Sequence, residues 1–310
     1  MNLCVKLQCK RLDNHPLNVK SLIFFSKHSS YNKINIELEI NKTNSSKMGS
    51  WERGSSPVDW CEGNYLFTPD IAEFVNTISN VLFFIGPPLL IFLFKEYGKF
   101  INPAIHIVWF LLIVVGFSSA YFHATLSLLG QLLDELSILW VFMVAFSSLC
   151  PKRHFPRLFK NDRRRFVLFL FIFSAIASIL SIYNPAINAF ALMFLAVPAF
   201  YLIYHHMKQE KDARVYRLSI RCAIVLSLAI FCWINDRIFC DVWSELKFPY
   251  LHGLWHILIF IAAYSICVLF AYFFVSEEKP EWAPRLKYWP RNDFELCVPY
   301  VSIRTDHRKI

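Results

Sequence analysis

The sequence predicts an all-α, polytopic membrane protein with seven transmembrane helices, a lumenal N-terminus and a cytosolic C-terminus. Three observations carry this. Of the 310 residues, 56% are hydrophobic and only 18% charged, where a soluble domain carries about 25% charged residues. The apolar residues fall into seven long runs separated by short charged segments, more than one soluble core explains. Lys and Arg concentrate in alternate loops.

About 20 apolar residues are needed to cross the hydrocarbon. On that measure the spans lie near 71–94, 103–127, 131–150, 165–183, 186–206, 217–236 and 250–275. The first is the least apolar, because Glu73, Asn76 and Asn80 occupy its early turns. Only helices and closed barrels satisfy the backbone in lipid, and runs of this length exclude barrel strands. With the residues before span one placed outside the cytosol, the three cytosolic loops hold thirteen Lys and Arg and the outer loops two, Arg237 and Lys247. Positive charge stays on the cytosolic side. The net charge of +9 is therefore largely a topological signal and calls for no nucleic-acid partner.

Residues 1–47 are rich in Lys and Asn, and their apolar cluster Leu22–Phe25 is too short for a signal-peptide core. They are expected to be a disordered or spurious extension, with Met48 opening the folded chain. If lumenal, Asn41 and Asn44 head glycosylation sequons. Residues 48–276 then form the seven-helix domain. Residues 277–310, polar with Trp282, Tyr288 and Trp289 scattered among them, are expected to form a cytosolic tail at the membrane surface.

Ionisable residues inside lipid are costly and mark function. The stretch FSSAYFHATLSLLGQLLDELSILW, residues 117–140, holds Ser119, His123, Asp134 and Glu135. The stretch YLHGLWHILIF, residues 250–260, holds His252 and His256 four apart, hence on one helix face. By the predicted topology all three histidines reach the same depth near the outer end of their spans. Three protein ligands with an open fourth position is the usual arrangement of catalytic zinc. Ser119 shares the His123 face. Gly130 and a short loop around Leu128 suggest a tight hairpin that returns Asp134 to the level of His123; for Asp134 alone, a helix N-terminal acid favoured by the macrodipole is an equal reading, and the three histidines favour the pocket. A pocket of Ser119, His123, Asp134, His252 and His256 suits metal-assisted hydrolysis of an acyl bond. Zinc there activates water, Asp134 takes the proton and Ser119 supports the oxyanion. The substrate enters from the bilayer.

Before span one, Asp59, Glu62, Asn64, Glu73 and the Trp60 carbonyl offer oxygen ligands of the kind calcium takes. The spacing is not that of an EF-hand, and on spacing alone a helix-capping acidic loop is the simpler reading. Cys61 and Cys240 both fall on the outer side, where an oxidising lumen permits a disulfide. Cys222, Cys232 and Cys267 lie within spans and read as small packing residues.

The segments VDWCEGNY and IAEFVNTISN, SSAYFHATLSLLGQLLDELS, WINDRIFC and YLHGLWHIL together resemble the alkaline ceramidases, across about Asp59 to Pro290. The resemblance implies a seven-span zinc hydrolase of the endoplasmic reticulum or Golgi, in a superfamily shared with adiponectin and progestin receptors. It implies zinc on His123, His252 and His256, with Asp134 and Ser119 around the catalytic water. It implies calcium on Asp59, Trp60, Glu62, Asn64 and Glu73, in place of the capping reading, and a Cys61–Cys240 disulfide. The substrate implied is ceramide, cleaved to sphingosine and a fatty acid, with membrane lipids as surroundings and no obligate protein partner. Two other classes remain in view. A zinc-containing receptor of the adiponectin-receptor type would place its N-terminus in the cytosol. A transporter would spread polar groups through the midplane, whereas here they cluster near one face.

Overall fold

The computed structural model describes residues 49–304; the expectations for residues 1–47 lie outside them. Among the described residues seven helices are long and apolar enough to cross a membrane, and the protein is mostly helical.

The first span is two helices, α1 (Phe74–Ile78) and α2 (Val81–Leu93). Three polar side chains in one turn cause the break. Thr77 Oγ1 donates to the Glu73 carbonyl (2.6 Å), Ser79 Oγ to the Asn76 carbonyl (2.9 Å) and Asn80 Nδ2 to the same carbonyl (3.0 Å). Such local bonds compete with the helical ladder. A short α3 (Lys95–Phe100) leads to the second span, α4 (Ala104–Thr125), which turns at once into the third, α5 (Leu128–Leu149).

The α4–α5 turn is tighter than the sequence suggests. Leu128 is already helical, and the turn is Leu126–Ser127 alone. Leu126 adopts the left-handed region (φ +48°) and Ser127 caps α5 by accepting the Gly130 N–H at 3.1 Å. Gly130 sits inside the helix, where a Cβ would lie 2.9 Å from the Phe122 Cα. Its bare backbone therefore serves close packing of the hairpin arms.

The remaining spans are α6 (Arg163–Ser181), α7 (Ala186–Gln209), α8 (Ala213–Ile238) and α10 (Leu251–Glu278), with a short α9 (Cys240–Glu245) before the last. Asp162 and Asp212 start α6 and α8 by accepting the N–H groups of Arg164 (2.9 Å) and Arg214 (2.8 Å), which settles amides a helix start leaves unpaired. α10 is the central helix: 61% of its apolar window is buried, against 28% for α6, α7 and α8. α4 packs along α5 and α8 along α10.

The C-terminal segment is not simply a polar tail. β1 (Arg285–Trp289) and β2 (Val298–Ser302) pair antiparallel with Lys287 opposite Tyr300. Leu286, Tyr288 and Val301 are buried in the main hydrophobic core. Arg221 of α8 donates to the Tyr288 hydroxyl (2.7 Å), and Arg217 to Glu295 (2.9 Å). That pairing holds the Glu295 carboxyl below its ordinary range. Two five-residue strands with mixed polarity give too short an alternation to stand out in sequence.

Candidate metal centre

His123 lies in the last turn of α4, while His252 and His256 lie in the first two turns of α10. Their rings meet: centroids are 5.0 Å apart for His123–His252, 4.8 Å for His123–His256 and 4.7 Å for His252–His256. One ligand atom from each falls within 4.8 Å of the others. All three are at most 2% exposed.

His123 Nε2, His252 Nδ1 and His256 Nε2 have no hydrogen-bond partner. A buried polar atom left unpaired costs about 1–3 kcal/mol, and three such nitrogens converging at one place is an arrangement a cation satisfies. The opposite ring atoms are held. His123 Nδ1 meets Glu73 Oε2 at 2.5 Å, so the carboxylate accepts the Nδ1 proton and leaves the Nε2 lone pair free. Ser79 Oγ lies 2.7 Å from His256 Nδ1. Its single proton goes to the Asn76 carbonyl, so it accepts from Nδ1–H and again frees Nε2. A partner that fixes the tautomer in this way is typical around metal-bound imidazoles. The donor set of three neutral imidazoles fits zinc.

Ser119 and Asp134 come together one turn deeper. The two-residue turn places position 134 opposite position 119 across the hairpin. Asp134 thus returns to the level of Ser119, and Ser119 is one helical turn from His123 on the same face.

The acidic segment folds over this end. Backbone bonds run from Gly54 N to Thr125 O (3.0 Å), Ser56 N to Leu126 O (2.9 Å), Ala72 N to Ala124 O (3.0 Å) and Glu73 N to His123 O (3.0 Å). Glu62 accepts the N–H groups of Val75 (2.7 Å) and Asn76 (2.8 Å) at the start of α1; burial pushes its carboxyl above the ordinary range, and those two donors oppose the shift. Glu73 Oε1 accepts the Trp60 N–H at 3.0 Å and its carboxyl also contacts Asp59. Asn64 donates to Asp59 at 3.1 Å. Asp59, Glu62, Asn64, Glu73 and the Trp60 backbone therefore gather in one place, with Glu62 and Glu73 buried and Asp59 and Asn64 exposed. Glu62 thus caps α1, as the helix-capping reading of this segment expects.

Cys61 and Cys240 form a disulfide, with Cα atoms 5.3 Å apart across 179 positions. It fastens the acidic segment to α9. Comparison with known proteins bears on this assembly. The sequence model of the ceramidase family matches residues 52–302, which include every residue of the site described above. The chain belongs to the ceramidase family. It is 60% identical over 258 residues to an alkaline ceramidase of Drosophila melanogaster, covering 82% of this chain and 91% of that protein. It is 36% identical over 254 residues to human alkaline ceramidase 1, covering 82% and 96%, and 32% identical over 266 residues to an alkaline ceramidase of Caenorhabditis elegans, covering 84% and 98%. As a member of this family it is a multi-pass membrane hydrolase of the ceramidase type.

Several residues of this ceramidase site were not assigned from sequence. Ser79 was an unmarked span residue, and Glu73 was assigned to calcium and not as the partner of His123. Trp60 contributes its ring as well as its backbone, stacking on His252 at 3.7 Å between centroids. Asp236, within the quoted WINDRIFC segment, spans two elements: Oδ2 accepts the Cys61 N–H and Oδ1 the His252 N–H, each at 3.1 Å. The buried charge of Asp236 inside an apolar run was the one available signal.

Proposed function

We propose that this ceramidase hydrolyses the amide bond of ceramide, releasing sphingosine and a free fatty acid, by water activated at His123, His252 and His256. The observation that carries the reading is the convergence of three buried histidine side chains, each with a ring nitrogen that has no hydrogen-bond partner. Zinc held by the three imidazoles supplies Lewis acidity and brings the pKa of water from 15.7 towards about 7. Asp134 is assigned as the group that takes the proton of the attacking water and returns it to the leaving amine. Ser119 keeps the Asp134 carboxyl oriented and offers a donor to the developing oxyanion. Glu73 and Ser79 hold two of the imidazoles in the tautomer that leaves the inward nitrogen free.

Calcium is assigned to Asp59, Trp60 (through its carbonyl), Glu62, Asn64 and Glu73, an oxygen-only donor set suited to a hard cation. Glu73 contacts both groups of ligands, so filling one site steadies the other. The N-terminus is placed in the lumen and the C-terminus in the cytosol of the endoplasmic reticulum or Golgi, on the distribution of basic residues. The residues after 276 are placed on the cytosolic side, where their two strands pack into the core of the hydrolase domain. Ceramide reaches the pocket from the bilayer, and no obligate protein partner is invoked.

The test is release of sphingoid base from ceramide by purified protein. Asp134→Asn is expected to lower turnover by about 10²–10⁴-fold, the range a positioned acid–base group contributes, and His123→Ala, which removes a metal ligand, to lower it at least as far, while both proteins still reach the membrane. Chelation is expected to abolish activity, with zinc and calcium restoring it as separate additions. Turnover by purified His123→Ala within twofold of wild type would sink the mechanism.

A further inference from the structure

Three more metal-ligating side chains meet at the other end of the bundle. His154 lies on a single-turn helix (Lys152–His154) in the α5–α6 loop, His206 in the last turn of α7 and Glu277 in the last turn of α10. The α10 residues His256 and Glu277 are 21 positions apart, about 30 Å along a helix at 1.5 Å per residue. This cluster is therefore separate from the imidazole site.

Its geometry is close to that of a chelate. Donor atoms of all three residues lie within 4.8 Å of one another. His206 Nδ1 is 3.4 Å and His154 Nε2 3.7 Å from Glu277 Oε1. Donors bound to zinc at 2.0–2.1 Å in a tetrahedron sit about 3.4 Å apart, so two edges are already near their bound length. His206 is 6% exposed, and its ring stacks on Phe273 with centroids 4.3 Å apart, which fixes its plane. Glu277 Oε2 lacks a hydrogen-bond partner.

A buried histidine stacked on phenylalanine is most often a packing residue, but the neighbouring cation argues for more here. The Arg153 guanidinium pairs with Glu277 and donates from Nε to His154 Nε2 at 3.0 Å. One positive group thus bridges two of the three ligands, using the lone pairs a metal would use. The Arg153 side chain is 52% exposed and can swing into water without leaving a cavity.

We propose that His154, His206 and Glu277 form a second divalent-cation site, of zinc type, in which the ion displaces Arg153. Two imidazoles and one carboxylate are a zinc donor set with an open fourth position. Because the ligands come from three elements, filling the site pins the α5–α6 loop to the ends of α7 and α10.

The experiment measures zinc stoichiometry and affinity on the purified full chain in detergent, by titration with zinc chloride and elemental analysis after removal of free metal. His154→Ala and Glu277→Gln are each expected to bind one equivalent fewer than wild type. Arg153→Ala is expected to keep the full number and to bind the second equivalent at least tenfold more tightly. That gain cannot arise from misfolding, and an ion-pair role for Arg153 alone does not produce it. The difference of one equivalent stands whether or not the first imidazole cluster holds zinc. Equal stoichiometry in wild type, His154→Ala and Glu277→Gln overturns the proposal, as does an Arg153→Ala variant with no gain in affinity.

Discussion

Asp236 illustrates how single atoms set this site. Each of its oxygens accepts one backbone N–H, from Cys61 beside the acidic segment and from His252 on the candidate metal helix. An amide in its place offers one acceptor and turns an NH2 group toward a donor. Asp236→Asn is therefore expected to destabilise the protein by about 1–3 kcal/mol, the cost of one buried donor left unpaired. Thermal unfolding in detergent reads this directly, and a variant as stable as wild type would remove Asp236 from the account. Leu126 shows the opposite balance. Its left-handed backbone costs about 1–2 kcal/mol. Its side chain, 6% exposed and packed in a small core with Ala72 and Phe122, recovers about 1.5–3 kcal/mol by burial. A leucine therefore persists at a position where glycine would relax the backbone.

At the level of elements, the α4–α5 hairpin decides whether Ser119 and Asp134 meet. Its register depends on a two-residue turn and on the absence of a side chain at Gly130. Gly130→Ala drives a methyl to 2.9 Å from the Phe122 Cα, and a backbone atom yields little. The expected outcome is a widened hairpin, with stability lowered by about 1–3 kcal/mol as for other overpacked sites and hydrolysis lost more steeply than stability. Hydrolysis and unfolding measured on the same preparation check this; wild-type turnover in a destabilised variant would show that the hairpin spacing does not govern the pocket. The broken first span works similarly. The turn around Ser79 breaks the helix where three polar side chains bond back to the chain, and that break is what lets Ser79 face His256. The Cys61–Cys240 bridge then ties the acidic segment to the end of α8 and α9. It closes a long loop, which gives a large entropic effect in a random chain and a smaller one where the connected helices persist in the bilayer.

At the scale of the whole molecule, the two clusters of metal-ligating side chains found among the described residues lie at opposite ends of an apolar bundle. The three imidazoles lie at one end of α10 and the His154–His206–Glu277 cluster at the other. The basic loops lie at the second end, so the proposed orientation puts the hydrolytic pocket at the lumenal leaflet. In sealed vesicles with the cytosolic face outward, Lys160→Cys is expected to react with a membrane-impermeant maleimide. Leu246→Cys is expected to react only after the membrane is opened. Labelling with the reverse pattern would invert the topology, and both positions are exposed in the fold.

Seven apolar runs, their order and the candidate ligands were legible from the sequence because lipid imposes length and polarity on every spanning segment. A histidine or carboxylate in such a run is visible for the same reason, and the combined segments around His123, Asp134, Asp236 and His252 were specific enough to indicate the family. Tertiary structure alone decided which polar groups touch. The contacts of Glu73 with His123, Ser79 with His256 and Asp236 with both Cys61 and His252 join residues 50 to 177 positions apart, or 16 in the nearest case. Spacing along a chain encodes neighbours on one helix, whereas contacts between helices depend on packing angle and depth. The strands at Arg285–Trp289 and Val298–Ser302 were hidden for a related reason: their stability comes from burial against the bundle, and no periodicity over five residues reports that.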